Sequence, residues 1–128
     1  MALFKPVVTS ADLPLEGTSR ESGTYDFKRT VDPAKKRELA KDVAAFANAM
    51  GGVVLVGADE DRDTGTLREY APMPEAFAES VKAAYDRAIT EFCRPQPIID
   101  AVRVKAPPPA SGYVVAINVN PTPPHFGK

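Results

Sequence analysis

Lys28, Arg29, Lys35, Lys36, Arg37 and Lys41 crowd into the stretch around "DPAKKRELAK" and make it the densest basic region of the chain. Cations at this density can meet phosphate oxygens as point charges, the chemistry of nucleic-acid backbone binding. On a helix face the same residues can equally be a solvated surface that keeps the protein soluble. No aromatic residue is interleaved among them for base stacking, so sequence-specific reading of single strands is not expected. A second charged group is acidic. Asp59, Glu60, Asp61 and Asp63 follow an apolar run, and the end of a strand is where open sheets place ligand sites. The group lacks the ligand spacing of an EF-hand loop, and as a bare charge run it reads as a solvated turn. Glu21 and Asp26 read, from the residues alone, as a solvated acid and an ion pair with Lys28 or Arg29.

Other reactive side chains are scarce. His125 is the only histidine and lies in a proline-rich tail, so imidazole chemistry would hang on one residue. Cys93 is the only cysteine; it reads as a small core or boundary residue, and no internal disulfide or thiolate cluster can form. The serines have no nucleophile-elbow context.

The elements that must position these groups follow from periodicity. "GTYDFKRTV" alternates Tyr25 and Phe27 against Asp26 and Lys28, a half-buried strand. Asp32-Pro33 signals a helix start, and Leu39, Val43, Phe46, Ala47 and Met50 share one face of that helix. Gly51 can end the helix in the left-handed conformation and Gly52 can turn the chain into "VVLVGA". That strand is apolar on both faces and so is expected to be covered on both. Near the helix end, the amide of Asn48 is expected to bond exposed carbonyls. A short strand at "TLREY" would make a hairpin. A second helix carries Phe77, Val81, Ala84, Tyr85, Ala88 and Phe92 until Pro95 forbids continuation. "PIIDAVRVKA" and "GYVVAINVN" close the chain as two strands. The order β-α-β-β-α-β-β predicts an α+β fold, a mixed sheet with two main helices packed on it.

At 128 residues, 44% hydrophobic and 26% charged, the chain is one domain's worth. Its formal net charge of −1 gives no global pull toward polyanions, so phosphate binding would rest on local patches. No apolar run reaches the roughly 20 residues of a membrane helix and the N-terminus lacks a signal pattern, which with the single thiol points to a cytoplasmic protein and no membrane partner. Residues 1–20 are expected to form an irregular arm and 21–128 the domain.

Three segments in their order, "ESGTYDFKR", "AFANAMGG" and "VVLVGADED", resemble the Schlafen AlbA-like domain family, also described as DNA-binding or as a divergent AAA-type ATP-binding domain. The resemblance covers residues 21 to about 61 well and continues in character to the end. It implies a nucleic-acid-binding module, RNA or DNA, of low sequence specificity, with the backbone contacted by Lys28, Arg29, Lys35, Lys36 and Arg37. Animal relatives are associated with tRNA and rRNA cleavage by a metal-dependent acidic triad. The matching acids here are Glu21, Asp26 and one of Asp59 or Glu60, with Lys28 supporting, and the ion would be Mg²⁺ or Mn²⁺. Asp26 stands where the family usually has glutamate, one methylene longer. Glu21 and Asp26 would face opposite ways on a regular strand, so Ser22-Gly23 must bend the chain for both to meet one ion. ATP is not expected: there is no Gly-x4-Gly-Lys-Ser/Thr, and the glycines follow a helix rather than precede one. Animal Schlafen cores contain two related lobes, so the resemblance also suggests a homodimeric interaction domain. Family domains generally continue past the Pro-x-x-His region, so the chain is either a minimal member or a portion of a longer protein.

Overall fold

The computed structural model describes residues 5–20 and 24–121. The alternation of the first strand is realised in β1 (Tyr25–Lys28), whose Phe27 is buried. Tyr25 and Phe27 stack on one face with ring centroids 5.3 Å apart, which leaves Asp26 and Lys28 on the other. A crossover through α1 (Lys36–Ala47) leads to β2 (Gly52–Val56), parallel to β1. After the hairpin of β3 (Ala58–Asp61) and β4 (Thr66–Tyr70) comes α2 (Glu75–Phe92), then β5 (Ile99–Lys105) and β6 (Tyr113–Val119). The main sheet has the order β1-β2-β6-β5, and β6 pairs antiparallel with both neighbours. The fold is therefore α+β, with a mixed sheet and two helices.

Every residue of β2 is buried, and successive side chains serve opposite faces. Val54 and Val56 join Leu39, Val43 and Ala47 of α1 and Val81, Tyr85 and Ala88 of α2. Val53 and Leu55 join Phe27, Leu67 of the hairpin, and Val7 and Leu13 of the N-terminal segment. Both helices thus lie on one face, while the hairpin and residues 5–20 cover the other. The segment is held by specific bonds. Asn118, only 3% exposed, accepts the Val7 amide at 2.8 Å and donates to the Val7 carbonyl at 2.9 Å. Tyr70 donates to the Pro14 carbonyl at 2.7 Å. In a 3-10 turn at Ser10–Asp12, the Asp12 carboxylate accepts the Val8 and Thr9 amides.

Two local starts and stops differ from expectation. The apolar run is two strands, because Gly57, at φ +101°, bends the chain out of the main sheet. Its amide still bonds Lys28 and its carbonyl takes the Ala71 amide, so the acids beyond it lie mainly on a strand rather than a turn. Asp32 builds a turn instead of capping the helix: its carboxylate accepts the Ala34 amide at 3.0 Å, and α1 begins at Lys36 with Lys35 as an N-cap that makes no side-chain capping bond.

The helix end shows what the glycine pair does. The Gly51 amide closes onto the Phe46 carbonyl at 2.9 Å, with Gly51 at φ +82°. A β-carbon on Gly52 would collide with the Phe46 ring. One glycine supplies the left-handed turn and the next makes room for an aromatic ring over the strand.

Candidate functional site

On the helix face of β1, the Lys28 ammonium stands between two carboxylates, 3.4 Å from Asp26 and 3.1 Å from Asp42 of α1. Side-chain exposures of 27%, 33% and 28% mark all three as largely withdrawn from water, so the pairings are stronger than surface contacts. Burial pushes the Asp26 carboxyl above the ordinary aspartate value; Lys28 works against this, while Asp42 and Glu60 reinforce it. Burial also opposes charge on Lys28, but Asp26 and Asp42 together outweigh it and its ammonium titrates above the usual lysine range. Both partners moving upward is consistent with one cation shared between two acids, leaving Asp26 incompletely compensated. Tyr85 of α2, within reach of the fields of both acids, is fully buried, and its hydroxyl has no hydrogen-bond partner among the described residues. Burial first, and the fields of Asp42 and Asp26 second, hold that hydroxyl protonated.

The remaining nominated acids are arranged differently. Asp59, on β3, is bonded by Arg68 and lies 3.5 Å from Arg29. Glu60 is 3.4 Å from Arg20, yet its field reaches Asp26. Glu21 and His125 lie outside the described residues. Among the described residues no three carboxylate, thiol or imidazole side chains are grouped to hold a metal ion, and Lys28 fills the gap between Asp26 and Asp42. The described acids, as they stand, do not fit a divalent ion. Cys93 is a buried thiol, pushed up by that burial, and is the core residue its type suggests.

The cations divide into two sets. Lys28 and Arg29 are engaged by acids, and Lys36 bonds Glu91 at 2.9 Å. Lys35, Arg37 and Lys41 are exposed and form no ion pair among the described residues. Arg37 and Lys41 line a groove of about 510 Å³ between α1 and the end of α2. Arg94 joins them, its guanidinium bonded to the Thr90 and Cys93 carbonyls at 2.9 and 2.8 Å. No acid among the described residues lines this groove. Lys35 lies instead beside a smaller cleft with Lys28, Asp32, Glu38 and Asp42, where charges of both signs meet.

Several of these residues escaped the sequence reading. Asp42 had a signal, since it falls three positions after Leu39 on the inward side of α1. Tyr85 had one too, as a hydroxyl in an apolar stripe. Arg94 and Phe92 had none: they reach the basic surface only because α1 and α2 pack side by side. Asn48 is the C-cap of α1, but its exposed side chain makes no hydrogen bond with any described residue; it lines the groove.

A family model described as Schlafen, AlbA_2 matches residues 21–126. No curated protein matches the chain. No helix among the described residues is long and apolar enough to cross a membrane.

Proposed function

The chain belongs to the Schlafen AlbA_2 family, a nucleic-acid-related family, and from that premise we propose that it binds the phosphate backbone of RNA or DNA with low sequence specificity. One observation carries the reading: among the described residues, Arg37, Lys41 and Arg94 border a groove with no acid in its lining, and Lys35, at the start of the same helix, forms no ion pair. Lys28, Arg29 and Lys36 already neutralise carboxylates, so they contribute less to a phosphate than their sequence density suggests.

A ligand held by about three phosphate contacts should lose roughly 20-fold in affinity as a single strand, and roughly 40-fold as a duplex, between 50 and 200 mM salt. Replacing Lys35, Arg37 and Lys41 by alanine should weaken binding at least about tenfold and flatten the salt response. A wild-type affinity indifferent to salt would sink the proposal.

A second reading is a divalent-metal-dependent endoribonuclease acting on structured RNA such as tRNA; it starts from Asp26 and Asp42 facing one another across Lys28 and requires the ion to displace that ammonium. Its residues are Asp26, Asp59 or Glu60, and Glu21, with Lys28 supporting. Incubation of tRNA with Mn²⁺ tests it. Cleavage abolished by Asp26→Ala with binding intact supports the enzyme; no cleavage with Mg²⁺ or Mn²⁺ removes it.

A further inference from the structure

Phe92 is the last residue of α2 and stays 41% exposed, although its sequence spacing assigns it to the apolar face. The Arg37 guanidinium lies over its ring, 4.8 Å from the centroid. The stacked pair borders the groove, which Pro95, Ala40 and Ala44 also line and which no acid among the described residues lines. Small side chains there leave the space open. Glu91, the acid adjoining Phe92, is taken up by Lys36. Lys41 and the backbone-anchored Arg94 remain on the rim.

A flat stacked pair ringed by cations matches a flat uncharged group that carries phosphates on both sides. We propose that the groove between α1 and the end of α2 takes one unpaired nucleotide of a single strand. Its base extends the Phe92–Arg37 stack and the flanking phosphates meet Lys41 and Arg94. This rests on the nucleic-acid reading above and names the form of the ligand. Paired bases in a duplex are stacked on their neighbours and cannot enter, so duplex meets only the outer cations. Stacking of this kind carries no sequence code, since every base offers a ring face.

The test uses the full chain with a fluorescein-labelled 12-nucleotide single strand, the duplex of the same sequence, and the strand with abasic positions, read by anisotropy. The single strand should bind more tightly than the duplex. Phe92→Leu keeps apolar bulk without the ring face, and should weaken the single strand about fivefold or more while leaving the duplex unchanged. The abasic strand should show a similar loss, which asks the same question without altering the protein. Equal binding of intact and abasic strands, or a Phe92→Leu effect common to both ligands, overturns the proposal. So does light scattering that shows Phe92→Leu dissolving a dimer with strand affinity unchanged, for the groove would then hold a second copy. If Lys35, Arg37 and Lys41 changed to alanine abolish all binding while Phe92→Leu does nothing, the stacking inference alone fails. If that triple change leaves every ligand bound, the phosphate reading fails with it.

Discussion

Replacement of Gly52 by valine is expected to lower the stability of the protein by about 3 kcal/mol, at the upper end of what overpacking costs. The Phe46 ring occupies the position where any β-carbon would go, and neither side can retreat easily. Gly52 is paired with Val119 in the sheet, while Phe46 packs partly buried against the helix-side core. Gly51 is a different case. Its φ of +82° lies in the left-handed region, so Gly51→Ala should cost at least about 1 kcal/mol, the penalty of a left-handed alanine. Urea unfolding of the two variants separates the causes, with midpoints shifted and slopes unchanged. A loss below about 1 kcal/mol for Gly52→Val would mean that the ring moves aside freely.

Lys28→Met should remove about 2 kcal/mol at neutral pH. Breaking a fully buried ion pair costs about 3–5 kcal/mol, and the partial exposure of these three side chains calls for a smaller figure. The loss arises because Asp26 and Asp42 would face one another without a cation. The pH dependence has a definite sign. Asp26 already titrates above its unfolded value because of burial, so its ionisation opposes folding, and removing Lys28 enlarges that opposition. The gap between variant and wild type should therefore narrow as the pH falls through the raised Asp26 value and the carboxyl takes up a proton. In the wild type the lysine acts at the other end of the scale. Its raised folded value means that its contribution is complete below the ordinary lysine value of 10.5 and fades as the pH climbs through the folded one. Adding Asp42→Asn to Lys28→Met should recover part of the loss; no recovery would show that the two carboxylates do not repel through this site.

Much of the framework was legible in the sequence because it depends on local period. Alternation around Tyr25 and Phe27 correctly separated the core face of β1 from the face carrying Asp26 and Lys28, and the two-sided apolar run correctly announced a strand covered on both faces. The family was legible as well, since the quoted segments begin where the family match begins, at residue 21. What was not legible depends on relations between elements. Nothing near Gly57 says that the chain leaves the sheet there, because the bend is set by bonds to Lys28 and Ala71, far apart in sequence. Likewise, Phe92 looks like a core residue by spacing; it is exposed because the apolar face of α2 outruns the surface it covers. The basic stretch was visible as charge, but which cations are spent on Asp42, Asp59 and Glu91 depends on helix packing and on the return of β3 beside β1.

The odd and even residues of β2 belong to separate clusters, Val53 and Leu55 to one, Val54 and Val56 to the other. A change of side-chain size on one face is met first by the neighbours of that face and reaches the other through the backbone of β2 that both share. A hairpin grafted from another chain would take away the Asp59 partner of Arg29 and the Glu60 field at Asp26, so a transplant there must bring its own acids.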